Sequence, residues 1–577
     1  MKNNYLFILC FICCSLFVNS QTFEWGHGIG GTGNDYAKDV AVDANDNVYI
    51  IGEFSGTVDF DPSSNTVNRT SNGGLDIFLL KLDSSGNFVW IRTYGSVDDE
   101  IGRTVTIDDS GKVIAGGGFR NTVNFSNTGT PINKTSNGGL DAFILGLTAG
   151  GANDFILTFG GSGNDNVFDN VVDFNNDLIV TGNFSGTADL NPTTGTQNET
   201  AGALTDPFVI KLNLGTLRPS FVWAKTFIGN NTSFSNFGRA VAVDGNNNII
   251  SVGRFKGTND FDPGSGVANA GSSGLYSAYI SKLDSNGNFL YRKTLVGGQP
   301  TPQGEGLDIM DVVIDSNNNI IMTGRFDGTV DFDPNSGTFN MASFTISGDN
   351  KQSLFLWKLT DAGNFVYAKN FTSTSNTLNT YSVDVDSNDD IYFSGRFSDT
   401  FTQNPDASFF LTANGTFNGF ITKMSNAGAW QYTLKVGENG TDYIQSTTLR
   451  NDKIVQVGRY SGSIDLAPGS TVFTENSVGS SDLFVQKLQE NSLSTEGFLN
   501  NQNIKIFPNP TQQYILIQGL ESLNYEVLTL QGKRLLKGNY TSGIDKIDVS
   551  SLSSGMYIIS ISNQDGSQSM KHKILKN

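Results

Sequence analysis

The stretch TFEWGHGIGG, residues 22–31, decides how the chain folds. Similar stretches recur downstream: NFVWIRTYG (87–95), NDFILTFGG (153–161), FVWAKTFIG (221–229), NFLYRKTLVGG (288–298), NFVYAKNF (364–371) and AWQYTLKVGENG (429–440). Each of these six closes a repeat unit, whereas the copy at 22–31 precedes the first unit. The last unit ends at DLFVQKLQE (482–490) with no such stretch after it. The offset predicts that the N-terminal copy completes the last unit, so that the repeats close on themselves. A linear array has no use for the offset, while closure removes two open strand edges.

The repeat is long. The aromatic of a G-x-F signature falls at Phe54, Phe119, Phe184, Phe255, Phe326, Phe397 and Tyr460, with spacings of 65, 65, 71, 71, 71 and 63 residues. A second marker, DIFLLKLD at 76–83 in the first unit, also occurs seven times. Each unit holds four strand-like runs, in the first unit KDVAVD (38–43), NVYIIGEF (47–54), DIFLLKLD (76–83) and NFVWIRTYG (87–95). The second run is apolar on successive residues, as in a strand buried on both faces. Four strands per unit, repeated radially, predict an all-β, seven-bladed β-propeller of four-stranded blades closed by the N-terminal strand. A β-solenoid has much shorter coils. The first-to-second and third-to-fourth connections are tight, and the other two are longer and share one face. There GTVDFDP opens a long insertion, residues 55–75 in the first unit, and loops on rigid scaffolds commonly carry function. The sequence VAVDANDNVYIIGEF…GLDIFLLKLDSSGNFVW resembles the repeat of secreted bacterial propeller-repeat proteins over about residues 22–490. That resemblance implies the fold but no single activity.

Composition narrows the compartment. Among 577 residues the formal charge is -19, Gly numbers 66, and only 16% are charged. An acidic chain is repelled by phosphate backbones and anionic lipid, which argues against nucleic-acid and membrane-surface partners. Cys10, Cys13 and Cys14 are the only cysteines. They lie in an opening that reads as a secretory signal, with Lys2, an apolar run over 5–18 and a cut between Ser20 and Gln21. As a membrane anchor the run falls short of the roughly 20 residues a bilayer needs. The expected chain after processing has no cysteine, no membrane span and no disulfide support.

After residue 490 the period stops. Residues 491–503 read as a polar linker, and 504–577 show alternating runs that predict a small Ig-like β-sandwich. Phe507-Pro508-Asn509-Pro510, Gly532-Lys533, LSSGMY (552–557, with Gly555 and Tyr557) and a basic C-terminus stand in order there. This segment resembles the C-terminal sorting domain of type IX secretion substrates, subtype A. The resemblance implies recognition by that translocon and a protein secreted from, or held on the surface of, a Gram-negative bacterium. The motif residues would then be a recognition surface, with an ordinary Ig-like binding module as the alternative.

The chemistry is sparse. His27 and His572 are the only histidines, so a His-rich zinc site or a Cys–His dyad is excluded and a Ser–His–Asp triad nearly so. His27 is read as structural or exposed. A two-carboxylate glycosidase could draw on Asp35, Asp98, Asp99, Glu100, Asp165, Glu305 and Asp442, but no pair stands out. Calcium, the one possible cofactor, could use the carboxylates two residues apart in the repeated signature: Asp59 and Asp61, Asp260 and Asp262, Asp331 and Asp333. Asx turns explain those acids, and the DANDN-type turns, equally simply. The intervening Phe60, Phe261 and Phe332 are expected to anchor the insertion. The reading favours a non-catalytic binding or adhesion protein for an extracellular glycan or protein. The alternatives are a carboxylate-based polysaccharide hydrolase or lyase, and a scaffold without a small ligand.

Overall fold

The structure, a computed structural model, describes residues 21–490 and 505–577, except 216–217, 298–305, 347–348, 375–376, 405–409, 469–471, 519–521, 530–532, 542–545 and 563–568. The signal segment, the linker, Glu305 and Gly532 therefore lie outside the described residues. All elements are strands. Gln21–Glu490 form one compact unit, and the C-terminal strands belong to another.

In the first compact unit each repeat supplies an antiparallel four-stranded sheet in sequential order. In repeat one the strands are Asp35–Val42, Val48–Phe54, Asp76–Leu82 and Phe88–Tyr94. The second and third strands are buried at every position, which accounts for their unbroken apolar runs. In the last repeat the sheet order is Tyr443–Arg450, Lys453–Tyr460, Asp482–Glu490 and then Gln21–Ile29. Gln21 stands opposite Glu490 and Ile29 opposite Leu483. The N-terminal strand therefore takes the fourth position of the last sheet. It also behaves like a fourth strand: Trp25 donates from Nε1 to the Ser84 carbonyl 3.1 Å away, as Trp90 does to Ala149 at 3.1 Å. Both acceptors lie in the third turn of the following repeat. Gly86 in that turn has a φ of 83° and sits so close that a Cβ there would lie 2.8 Å from the Trp25 ring.

Two devices join neighbouring sheets. The first is a lysine in the third strand, the K of the FLLKLD marker. Lys282 and Lys358 are each 3% exposed at the side chain and pair at 2.7 Å with Asp244 and Asp315 of their own first turns. They also reach Asp361 and Asn426 in the next repeat. Lys487 of the last repeat donates to the Ser84 carbonyl of the first, 3.1 Å away.

The second device corrects the reading of the 55–75 insertion as a loop. It contains a hairpin, Thr57–Asp59 paired with Asn68–Thr70, and all seven repeats have a counterpart. The hairpin often joins the outer strand of the preceding sheet, as Gly160 to Asp189 and Gly31 to Val58. The three-residue strands are too short to give a period. Phe60, Phe261 and Phe332 are fully buried and meet the signature aromatics Phe54, Phe255 and Phe326 at 5.3, 5.1 and 5.3 Å.

The C-terminal unit has a three-stranded and a four-stranded sheet. They share a core that includes Ile515, Ile517, Val527, Tyr540, Tyr557 and Ile559. The Tyr540 hydroxyl accepts from the Ile517 amide at 2.7 Å and donates to its carbonyl at 3.0 Å, tying one sheet to the other.

Candidate functional site

The first strand of every repeat carries a β-bulge at one equivalent place, for example between Ala37 and Asp39 and between Gly102 and Thr104. The residues skipped by the register are Lys38, Arg103, Phe168, Arg239, Met310, Tyr381 and Gln445. All seven line one cavity of about 160 Å³. The residue after each bulge lines it too: Asp39, Thr104, Asp169, Ala240, Asp311, Ser382 and Ser446. A bulge adds a residue and re-aims its side chain, so one local irregularity repeated seven times builds the lining. Nothing in the apolar pattern marks these residues. A fixed spacing does, since six of them stand 16 residues before the signature aromatic and Gln445 stands 15 before Tyr460.

The acids of the cavity are occupied by structure. Asp39 accepts from the amides of Val40 (2.9 Å) and Val105 (2.8 Å) and from the Ser446 hydroxyl (2.8 Å). Asp169 accepts from Asn170 and Val241, and Asp311 from Val312 and Val383. Each of these carboxyls joins its own strand to a neighbouring first strand. Burial, opposed by these hydrogen bonds, raises the Asp39 pKa to about 6 and that of Asp169 to about 7. Asp311 is raised well above the ordinary range by burial and by Asp169.

The cations are arranged differently. Lys38 pairs with Glu53 at 3.3 Å. Arg239 forms a fork on Asp308 at 3.2 and 3.0 Å, and Arg254 reaches the same carboxylate at 3.2 Å. Together with Arg103, Arg396 and Arg459 these cations interleave with aromatic rings. Tyr443 lies under Arg396 and Arg459, each 4.2 Å from its centroid, and Phe168 lies under Arg103 and Arg239 at 5.2 and 5.6 Å. Of these, Lys38, Arg103, Arg239 and Phe168 line the cavity, beside Asp39, Asp169 and Asp311.

The residues singled out in the sequence lie elsewhere. Asp59 accepts from the amides of Asp61 and Val67, and Asp260 and Asp331 repeat the pattern with Asp262 and Ala268 and with Asp333 and Phe339. Asp61, Asp262 and Asp333 cap the next turns through Ser63, Gly264 and Asn335. The three pairs sit in three different hairpins. Among the described residues no group of three or more His, Cys, Asp or Glu is arranged to hold a metal. His27 stacks on Trp25 at 5.5 Å, in the outermost strand and outside the cavity lining. In the tail, Asn509 donates to the Lys573 carbonyl at 2.8 Å and accepts from the Leu575 amide at 2.9 Å, so the Pro508-Asn509-Pro510 turn clasps the last strand. Lys533 closes a turn with Thr529, and the Tyr557 hydroxyl donates to the Ser553 carbonyl. Gly555 opens the strand Gly555–Ser562.

Asp35, Glu100, Asp165 and Asp442 of the glycosidase set are buried where one sheet meets the preceding one. Asp35 faces Asp482, Glu100 faces Asp76, and Asp165 faces Asp141. Burial, with these like charges adding, raises Asp35 and Glu100 to about 7 and Asp141 to about 6. At the equivalent junction Asn418 donates to Asp442 at 3.0 Å instead. An acid whose folded pKa is raised contributes stability at low pH that is lost as pH rises through the folded value. Thermal melts should therefore show a higher Tm at pH 5.5 than at pH 8. Asp244, Asp308 and Asp315 are held below the usual range, despite burial, by lysine or arginine partners, so their contribution is lost as pH falls toward 3. Asp482→Asn should flatten the upper slope and stabilise at pH 8 by on the order of 1 kcal/mol. A Tm that rises steadily from pH 5.5 to 8 would contradict this assignment.

Fold and cavity define a propeller protein with a separate C-terminal domain. Residues 505–577 match the family model described as the secretion system C-terminal sorting domain. This tail places the protein outside the cell, exported by type IX secretion and held at the surface or released. The WD repeat-containing protein L264 of Acanthamoeba polyphaga mimivirus is 24% identical over 510 residues. The match covers 76% of this chain and 36% of that protein, so the chain spans about a third of this relative's length. Among solved structures, the WD40 β-propeller domain of Doa1 aligns at 11% identity over 82% of this chain and 97% of that one, with a TM-score of 0.35. PorZ of Porphyromonas gingivalis, a bacterial surface component of the type IX secretion system, aligns at 12% identity over 94% and 81%, with a TM-score of 0.24.

Proposed function

We propose that residues 21–490 form a closed seven-bladed propeller, that 504–577 form an Ig-like sandwich, and that the protein is a non-catalytic extracellular binding or adhesion protein. Closure is supported by Gln21–Ile29 in the last sheet, by the bond from Ser446 to Asp39 and by the seven-strand lining of one cavity. The observation that carries the binding role is the cavity itself. Its lining carries Lys38, Arg103, Arg239, Phe168 and Tyr381, while Asp39, Asp169 and Asp311 are tied to backbone amides. Such a site holds a ligand without a free acid–base pair to act on it. The partner is an extracellular glycan or protein. Glycan and protein arrays probed with the exported protein should retain a defined ligand class, and retention that survives unchanged after substitution of the cavity cations would refute this location.

Polysaccharide hydrolysis or elimination is the second reading. It is favoured by the raised proton affinities of Asp39 and Asp169 on one cavity. Turnover of a polysaccharide that is lost in Asp169→Asn, with the fold intact, would replace the binding role with this one.

A further inference from the structure

Arg103 differs from the other two cations among the bulge residues. Glu53 pairs with Lys38 and Asp308 with Arg239, but no carboxylate among the described residues lies within ion-pair distance of Arg103. Its Nε is buried without a hydrogen-bond partner among them. Desolvation lowers its pKa, Glu53 raises it and Arg239 lowers it further, so the guanidinium is under-compensated. A guanidinium presents a planar fork of donors that matches a carboxylate, and Arg103 brings one to the cavity lining. The remaining lining narrows the ligand. Phe168 and Tyr381 give apolar rings and Gln445 an uncharged amide, while the Ser382 and Thr104 hydroxyls are already bonded to Thr447 and Asp169. A bare inorganic anion would leave the rings and the amide unused, whereas a sugar ring carries both an apolar face and hydroxyls.

We propose that the axial cavity binds a sugar acid, with its carboxylate on Arg103 and its ring beside Phe168 and Tyr381. This rests on the binding role proposed above and names its ligand class. The ligand is either a free acid sugar or the acidic end of a longer glycan.

Isothermal titration of the full chain with glucuronate, glucose, inorganic phosphate and a glucuronate-terminated oligosaccharide tests it. Glucuronate should bind and weaken with added salt, and glucose and phosphate should bind at least about tenfold more weakly. Tighter binding of the oligosaccharide identifies the glycan end as the source, and equal binding identifies the free acid. Arg103→Gln should weaken glucuronate binding about tenfold or more while leaving the ligand-free Tm equal or higher, because it removes an uncompensated charge. Arg103→Lys should keep part of the affinity. Glucose or phosphate binding as tightly as glucuronate, or undiminished binding by a folded Arg103→Gln, overturns the proposal. Failure of glucuronate while arrays still retain a neutral glycan or a protein overturns the sugar-acid inference alone. Failure of both removes the binding role as well.

Discussion

Deleting residues 21–29 should abolish the cooperative unfolding of Gln21–Glu490 and drive the protein to associate. The strand is paired along its length with Asp482–Glu490, and without it that strand becomes an open edge. Side chains are lost as well as backbone bonds. Ile29 is 2% exposed in a core with Val455, Leu483 and Val485, and Phe23 packs on Phe473 at 5.1 Å. The Ile29 core also takes in Val40, Ile50 and Leu80 of the first sheet, and the bond from Trp25 to Ser84 spans the same junction, whereas Phe23 and Phe473 pack within the last repeat. Losing large buried apolar groups costs on the order of 3–5 kcal/mol each, and the marginal stability of a folded domain is only about 5–15 kcal/mol. Trp25→Ala, which keeps the strand, should cost about 2 kcal/mol because the ring is only partly buried. Size-exclusion chromatography and urea melts read both effects. The truncated chain should run as a dimer or larger, and a synthetic 21–29 peptide added in excess should restore the monomer. A truncated chain that melts as a monomer at the parent Tm would mean that the ends do not hold the sheets together.

The offset of TFEWGHGIGG made this strand legible because backbone pairing follows apolar alternation, which the sequence writes openly. The buried second and third strands were legible for the same reason. The cavity was not. Its lining depends on a bulge, and a bulge leaves no mark on alternation except a one-residue slip. Lys38, Arg103, Phe168 and Arg239 also differ in type, so no motif unites them although the geometry does. The acids of the repeated signature were legible for another reason. Asp59, Asp260 and Asp331 recur because each caps the same hairpin, a folding requirement repeated with the hairpin. Recurrence thus marks scaffold here, and the cavity-lining residues are those that vary at a fixed position.

Lys358→Met should destabilise the propeller by on the order of 3–5 kcal/mol, since it strands a buried carboxylate. Lys358 and Asp315 meet at 2.7 Å with side chains 3% and 0% exposed, and Asn426 of the next repeat completes the contact. Lys358 is what most strongly offsets burial in holding the Asp315 pKa below the ordinary range. Without the lysine, burial is opposed by the hydrogen bonds of Asn319 and Asn317 only, and the pKa moves up. The Lys358 contribution exists only while Asp315 is ionised, so it is lost as pH falls. The stability gap between the two proteins in urea should therefore narrow from pH 8 to pH 4.5. Lys358→Met with Asp315→Asn should recover much of the loss, because it removes the stranded charge while the amide oxygen still accepts from the Asn317 and Asn319 amides. The second repeat does without the lysine: Gly146 stands where the others have it, and the buried Asp108 carboxylate accepts from the Ser110 amide, the Ser110 hydroxyl and the Lys112 amide. The turn of Asp315 has no such hydroxyl, with Asn317 at that position. A gap between Lys358→Met and the parent that is independent of pH, or a double variant no more stable than the single, would show that packing of the lysine stem, not charge, supplies the stability.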